Sequence, residues 1–577
     1  MENKEIARLL WETADLMEIA GEDSFRIRSY RNGATAIEGH PERIADLLAD
    51  PSRKLTTIPG IGKGLAAVIA EIIERQSCER RDLLLQKFPP GALEFLKIQG
   101  LGPKSIALIF EHYKIGTIDE LERLCIEQKL RVLPRMGAKL EEKVLRSIAQ
   151  YRQRTGRYLL SYAEGVAVEL SALLLETPGV TAVTPAGSLR RGRETVGDLD
   201  LLVTGPDPVP ALARFTAYPK VAEVLAHGEN KASATVGHEG LQVDVRTLPP
   251  ESFGAAMQYF TGSKDHNVAI RTRAVRMGLK LSEYGLFRVE DDTKVAGDTE
   301  AGVYEAIGLP WIAPELRENC GEIEAALEGR LPELVALKDI RGDLHMHTIE
   351  TDGRATLEEM AEAAVARGYQ YIAITDHSKA LAMSNGLDEA RALAFARRVR
   401  DLNREARFPL RIFSGIECDI LRDGAMDLAA DALAELDVVI GSVHSHMGLE
   451  AAEMTDRLLR ALESPQLRIL GHPTGRILLQ RESYPFDFDR VVAEAVRRNV
   501  WLEINASPER LDLNGALVRA AKSKGARFTI STDAHHPKSL ASMRYGVAMA
   551  RRGWLGPSDI LNTLPVEQFA AALGSKS

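Results

Sequence analysis

From Ile340 onward, seven strand-like runs follow one another: DLHMHT, YIAITDH, IFSGIE, DVVIGSVHS, RILGHP, WLEINAS and RFTISTDAH. Helix-length segments separate them, and regular alternation of strand and helix predicts a parallel β/α architecture. Six of the runs place a potential metal ligand at or just past their C-terminal end. These are His345 and His347, Asp376 and His377, Glu417, His444, His472, and Asp533 with His535. Asp352 follows the first run in a TDG loop. The C-terminal face is where β/α barrels build their active sites. His345 and His347, two apart on a strand, share a face and can pinch one ion. A lone histidine would read as a structural residue, but ligands at corresponding ends of successive strands would not. Imidazole plus carboxylate selects Zn²⁺, Mn²⁺ or Fe²⁺ over Ca²⁺.

The middle of the chain carries a second cluster of acids. Strand-like alternation in VTAVTPAG, DLDLLV and LQVDVRTL begins near residue 180. Asp198 and Asp200 are two apart on one strand, and Asp244 would join them from a neighbouring strand, with Leu241, Val243 and Val245 facing the core. Clustered carboxylates repel unless a divalent cation sits among them, which suits Mg²⁺ or Mn²⁺ and phosphoryl transfer. The Gly187-Ser188 turn, with Arg190 and Arg191 beside it, offers backbone N–H, hydroxyl and guanidinium groups to a triphosphate.

Residues 1 to about 152 read as successive helices with short turns marked by glycine and proline. Two segments share one pattern, LTTIPGIGKGLAAVIAEII (55–73) and FLKIQGLGPKSIALIFEHY (95–113). Gly60, Gly62 and Gly64, like Gly100 and Gly102, permit a tight turn and a close anion, with Lys63 and Lys104 at the following helix. Such a loop grips a DNA phosphate without reading the base. A third, degraded copy is expected at LRVLPRMGAKLEEKVL, where Met136-Gly137 keeps part of the pattern.

Three resemblances follow. The paired loops resemble the helix-hairpin-helix motif, which can also hold K⁺ or Na⁺ through its carbonyls. GSLRRGRETVGDLDLL and YFTGSKDHNVAIR resemble the nucleotidyltransferase palm and the thumb of family X DNA polymerases. That likeness implies metal binding by Asp198, Asp200 and Asp244, with Asp244 activating the primer 3′-hydroxyl. It implies triphosphate contacts from Gly187, Ser188, Arg190 and Arg191, and sugar contacts from Tyr259, Phe260 and Gly262. Asn267 would reach the base's minor-groove edge, and Arg271 the template side. Where lyase-active relatives carry a Schiff-base lysine, this chain has Val68, so no lyase chemistry is expected from that position.

The set HxH…D…DH…GIE…VHS…GHP…STDAH resembles the PHP (polymerase and histidinol phosphatase) domain. It implies a distorted seven-stranded β/α barrel with a trinuclear site of Zn²⁺ or Mn²⁺. The implied ligands are His345, His347, Asp352, His377, Glu417, His444, His472, Asp533 and His535, with Asp376, His446 and His536 as polar neighbours. Cys418 is expected in the core, and the strand bearing Asn505 is expected to lend no ligand. SNGLDEAR (384–391) is similar to the polymerase-associated branch of that family. Phosphoester hydrolysis at a DNA end follows, as 3′-5′ exonuclease, 3′-phosphatase or abasic-site cleavage.

The 577 residues are too many for one core. The expected order is a lyase-like helical domain with the first hairpin (1–85), a fingers-like domain with the second (86–152), palm (153–250), thumb (251–316), linker (317–337) and PHP domain (338–577). The four cysteines form no CxxC pair, so reduced thiols are expected. The net charge of −9 disfavours a surface coated in nucleic acid. Local arginine clusters, Arg152, Arg154 and Arg157 in one and Arg190, Arg191 and Arg193 in the other, still allow a basic DNA track. Without an apolar run long enough to span a bilayer, a monomeric cytoplasmic enzyme acting on gapped or primed DNA with deoxynucleoside triphosphates is expected. Its role would be gap filling in base-excision repair. The alternative is a PHP nuclease that uses the polymerase-like half only as a DNA-binding scaffold.

Overall fold

The computed structural model describes residues 1, 3–38, 40, 43–49, 53–88, 91–98, 100–134, 136–154, 156–237 and 239–574. The chain forms two compact units, Met1–Thr155 and Gly156–Ser577. Among the described residues, no helix is long and apolar enough to cross a membrane.

The first unit is helical, as its apolar periodicity predicts. Ile6, Leu10, Ala14 and Met17 of helix Asn3–Ile19 pack with Ile69 and Ile72 of helix Lys63–Arg75 and Ile106 and Ile109 of helix Pro103–Tyr113 in one core. Three times the chain makes the same turn before a helix. The N–H of Ile61 bonds the carbonyl of Ile58, that of Leu101 bonds Ile98, and that of Met136 bonds Leu133, each at 3.1 Å. The degraded third copy thus shares this bond with the other two and leads into helix Ala138–Arg154.

The second unit opens with a five-stranded sheet in the order Ala182–Pro185, Asp198–Thr204, Leu241–Leu248, Lys231–Val236, Val221–His227. The second and third of these run parallel and the other pairs antiparallel. Leu199, Leu201 and Val203 pack on one side with helix Leu160–Leu175. Helices Phe253–Thr261 and Lys264–Arg276 and a three-stranded antiparallel sheet follow. The stretch expected as a linker is instead ordered structure. Ile323 and Ala326 of helix Glu322–Leu327 are buried in the core of that helical region. Its acidic, proline-rich composition concealed one apolar face.

The seven expected strands are all present, as Gly342–Asp343, Tyr371–Ile374, Arg411–Asp419, Val438–Ser442, Ile469–Leu470, Trp501–Asn505 and Phe528–Ser531. They pair parallel and in chain order, and a parallel bridge between Met346 and Ala534 brings the first and last together. Strands covered on both faces need apolar residues in both phases. Ile372 and Ile374 pack against the surrounding helices, while Tyr371 and Ala373 join a cluster with Phe413, Trp501 and Phe569. The helices start at side-chain caps. Thr356 and Glu359 form a capping box, and Asp388, Asp487 and Asn514 each accept a backbone N–H in the first turn.

Candidate metal centres and nucleic-acid interface

All nine expected PHP ligands converge at the C-terminal ends of the barrel strands. Three groupings each bring single ligand atoms within 4.8 Å of one another: His347, Asp352, His377 and His535; His345, His347 and Asp533; and His377, Glu417 and His444. The ninth expected residue, His472, lies outside those groupings, with Nε2 at 2.8 Å from Glu417 Oε1. The His347 Nε2 atom is 3.2 Å from Asp533 Oδ1, and His377 Nδ1 is 2.9 Å from Glu417 Oε2. Yet His345 Nε2, both His347 nitrogens, His377 Nδ1 and His472 Nδ1 are buried without a hydrogen-bond partner. Ring nitrogens gathered with carboxylates and left without hydrogen bonds are available to ions, and His347, which belongs to two of the groupings, has both of its nitrogens free for this. Orphaned buried polar atoms are rare, and a metal satisfies them, so these residues fit the ions that the PHP likeness implies. Burial, with the neighbouring His535 and His377 rings, pushes the His347 pKa down to about 3, which keeps that imidazole neutral and able to coordinate.

Supporting residues orient the ligands. Glu503, fully buried, lies 2.7 Å from His345 Nδ1 and accepts the His472 N–H at 2.7 Å. Asp419 pairs with His444 Nδ1. Asn505 donates to Asp533 at 3.1 Å and to Glu503 at 3.2 Å. Asp376 binds the Thr348 N–H and the Thr348 and Thr351 hydroxyls, shaping the loop between His347 and Asp352. Two expected neighbours serve otherwise. His446 is exposed, and His536 caps a short 3₁₀ helix by accepting the Lys538 N–H. Cys418 is buried, as strand alternation requires. Glu503 and Asp419 were missed, although each lies two residues from a recognised position (Asn505 and Glu417), the spacing that identified His345 and His347. Arg510 was also missed. Its Nε is 3.6 Å from Asp533 Oδ2, and its buried Nη1 has no partner.

In the five-stranded sheet, parallel register sets Asp200 directly beside Asp244, with Asp198 beside Gln242. Burial and then the Asp198 charge push Asp200 up to about 6. Burial also acts to raise Asp244. The Lys231 ammonium, 2.6 Å from its Oδ2, and the Ser233 hydroxyl more than offset this and hold it below the ordinary carboxylate value. An acidic cluster already drawing a cation has the chemistry that divalent ions need. Gly187 is left-handed at φ +61°, and a Cβ there would come 3.1 Å from Asp200 Oδ2, so the turn sits against the carboxylates.

Several expected nucleotide contacts are engaged elsewhere. Arg190 bonds Glu300 at 2.7 and 2.9 Å and the Thr261 hydroxyl at 2.7 Å. Arg191 bonds Glu318 at 3.1 Å and the Thr261 carbonyl at 2.8 Å. Asn267 donates to the carbonyls of Tyr259 at 2.6 Å and Gly262 at 3.2 Å. A Cβ at Gly262 would come 2.4 Å from the Asn267 amide oxygen, so the glycine lets that side chain pack close. Phe260 lies beneath Arg246, Tyr259 packs edge-on against Phe260, and Arg271 is exposed. Arg157 is held by Thr195, whereas the side chains of Arg152 and Arg154 lie outside the described residues. Ser188 is half-buried.

In the helical unit, Gly60 and Gly100 take positive φ of 87° and 101°. Gly62 and Gly102 cap the two following helices. Gly60, Gly62, Lys63, Gly64, Gly100, Gly102 and Lys104 are exposed, and a Cβ at Gly62, Gly64 or Gly102 would meet nothing within 4 Å. The loops thus present open backbone N–H groups. Val68 is half-buried against the core.

Comparison with known proteins matches the PHP domain model to residues 343–507 and the DNA polymerase beta thumb model to residues 256–318. A helix-hairpin-helix domain model matches residues 1–78, and a SAM-like helix-hairpin-helix tandem model matches residues 92–150. DNA polymerase/3'-5' exonuclease PolX of Bacillus subtilis (strain 168) is 36% identical over 574 residues, 99% of both chains. A probable phosphatase of Shewanella sp. (strain MR-4) is 28% identical over 247 residues, 41% of this chain and 93% of that protein. DNA polymerase lambda of Rattus norvegicus is 26% identical over 323 residues, 51% of this chain and 53% of that protein.

Proposed function

This chain belongs to the bacterial family X DNA polymerases that carry a PHP domain, and we propose that it fills short gaps in DNA and trims DNA 3′ ends by phosphoester hydrolysis. The observation that carries this reading is that one compact unit holds the His, Asp and Glu cluster, with buried ring nitrogens left for ions, together with the strand pair that sets Asp200 beside Asp244. We read residues 1–85 and 86–152 as DNA-holding domains, 153–250 as palm, 251–316 as thumb and 338–577 as the PHP domain. The packed 317–337 segment is joined to the thumb.

At the polymerase site, Asp198, Asp200 and Asp244 would hold Mg²⁺ or Mn²⁺. Such ions supply charge neutralisation for the triphosphate and acidify the attacking hydroxyl. Asp244, ionised at neutral pH, accepts the hydrogen bond of the primer 3′-hydroxyl once Lys231 swings away. Ser188, Arg191 and the Gly187 turn receive the triphosphate, with Arg190 keeping the palm against the thumb. Tyr259, Phe260 and Gly262 face the sugar, and Asn267 must leave its carbonyl partners to reach a base. Gly60, Gly62, Lys63, Gly64, Gly100, Gly102 and Lys104 hold the DNA backbone, with K⁺ or Na⁺ in the hairpin turns.

At the PHP site, His345, His347, Asp352, His377, Glu417, His444, His472, Asp533 and His535 would hold Zn²⁺ or Mn²⁺. Those ions supply Lewis-acid polarisation of the phosphoester and acidify a water. Glu503 and Asp419 keep their histidines' other nitrogens turned inward. Arg510 offers its unpartnered guanidinium edge to a phosphate oxygen.

A gapped, primed duplex with Mn²⁺ and deoxynucleotides tests the assignment. Extension should vanish in Asp198→Ala/Asp200→Ala, and 3′-end degradation should vanish in His345→Ala/His347→Ala. Extension surviving the aspartate variant would overturn the assignment of Asp198 and Asp200, and a wild type that degrades ends but never extends would leave the polymerase-like half as a scaffold only. Degradation surviving the histidine variant would place hydrolysis elsewhere.

A further inference from the structure

The turn read above as the triphosphate cradle does not rest on its own domain alone. Its underside is pressed against helix Met543–Arg552, part of the barrel domain more than 340 residues further along the chain. Gly192 is left-handed at φ +63°, and a Cβ there would lie 3.1 Å from the Ala548 Cβ on that helix. Leu189, inside the turn, packs against the core of the five-stranded sheet and also against that of the barrel. At the end of the helix, Arg552 Nη1 donates to the Arg191 carbonyl at 2.8 Å and to Glu318 Oε1 at 3.0 Å. Glu318 Oε1 in turn accepts from Arg191 Nε at 3.1 Å. One barrel-domain guanidinium therefore grips both the backbone of Arg191 and the carboxylate that orients its side chain.

The arrangement is preorganised. Arg552 is only 10% exposed, and its stem is wedged against Gly515, where a Cβ would come 2.5 Å from the Arg552 Cβ. Arg193 Nη1 also approaches Glu318 Oε1, at 3.5 Å, so three guanidiniums surround one carboxylate. The local excess of positive charge faces the turn where a polyanion is expected, and a rigid donor costs less ordering on binding than a mobile one.

We infer that Arg552 of the PHP domain is a positioning residue of the polymerase nucleotide site, holding Arg191 and its turn in the shape that receives a nucleoside triphosphate. The barrel would then set nucleotide affinity in the other half of the enzyme independently of its own hydrolysis. This rests on the reading of Arg191 as a triphosphate contact.

Steady-state gap filling by the full-length enzyme, with deoxynucleotide varied, tests it in Arg552→Met, Arg552→Lys and Arg191→Ala. Methionine keeps the apolar stem and removes the donors, whereas lysine keeps the charge but reaches only one acceptor. The expected result is a KM for deoxynucleotide raised about tenfold in Arg552→Met and about threefold in Arg552→Lys, with kcat within about twofold. Unchanged KM in both Arg552 variants, or a fall in kcat at unchanged KM, overturns the inference, the second outcome marking a purely structural role. Should the methionine variant fail to fold, the lysine variant decides alone. If Arg191→Ala itself leaves KM unchanged, the triphosphate reading of the turn is what fails, whatever Arg552 does.

Discussion

Glutamine at position 503 keeps the volume of the glutamate and replaces one acceptor by an N–H₂ donor. Both carboxylate oxygens of Glu503 face donors, His345 Nδ1 at 2.7 Å on one side and the His472 N–H at 2.7 Å with the Asn505 amide at 3.2 Å on the other. The new N–H₂ must therefore face one of them. Turned to His345, it forces the tautomer whose proton sits on Nε2, the nitrogen that points into the ligand cluster, and a protonated nitrogen cannot ligate. Turned to His472, it leaves two donors opposed in a fully buried pocket, at about 1–3 kcal/mol for each unsatisfied group. Either way one ligand is misdirected. Loss of such a supporting partner lowers metal affinity or activity about 10- to 100-fold, or about 1.4 to 2.7 kcal/mol. The assay is 3′-end hydrolysis across a Mn²⁺ titration, with primer extension measured on the same preparation. Glu503→Gln should shift the metal dependence upward by that factor and leave extension at the wild-type rate. A wild-type titration midpoint would refute the claim that Glu503 sets the His345 tautomer.

Three further outcomes are expected. Asp200, raised to about 6 by burial and the Asp198 charge, must lose its proton to bind an ion. Apparent Mn²⁺ affinity for extension should therefore weaken about tenfold from pH 7 to pH 5, and a flat profile in a metal titration at each pH would count against it. Burial acts to raise the Glu300 pKa, but bonds from Arg190 and Arg317 win and lower it to about 2. The stability it contributes, about 3 kcal/mol, is present above the unfolded value and is lost as pH falls towards 2. Urea unfolding of wild type and Glu300→Gln should thus differ at pH 7, with the difference shrinking below about pH 4 and vanishing only near pH 2. Finally, a Cβ at Gly62 or Gly102 meets nothing within 4 Å, so for Gly62→Leu with Gly102→Leu stability should fall by no more than about 1 kcal/mol per site. The added side chains cover the loop N–H groups, and the Kd for gapped duplex should rise about tenfold; fluorescence anisotropy showing an unchanged Kd would remove the hairpins from the DNA interface.

The architecture was legible in the sequence wherever a local period carried it. The two-residue repeat put His345 with His347 and Asp198 with Asp200 on common faces, and the apolar helical repeat marked the N-terminal helices. The glycine pattern marked the hairpin loops, including the weak third copy. The segment after residue 316 misled because its prolines and acids outweighed the few apolar positions that tertiary packing buries.

The sequence by itself determined which side chains share a face, because that depends only on spacing along one strand or helix. Tertiary structure alone decided which faces meet. The Asp200–Asp244 alignment depends on the register of two strands more than 30 residues apart. The Glu503 partners of His345 and His472, the Arg510 edge beside Asp533 and the Arg552 grip on Arg191 join residues 23 to 361 positions apart. No local period encodes such pairings, since they follow from how the barrel packs and where its helices come to rest.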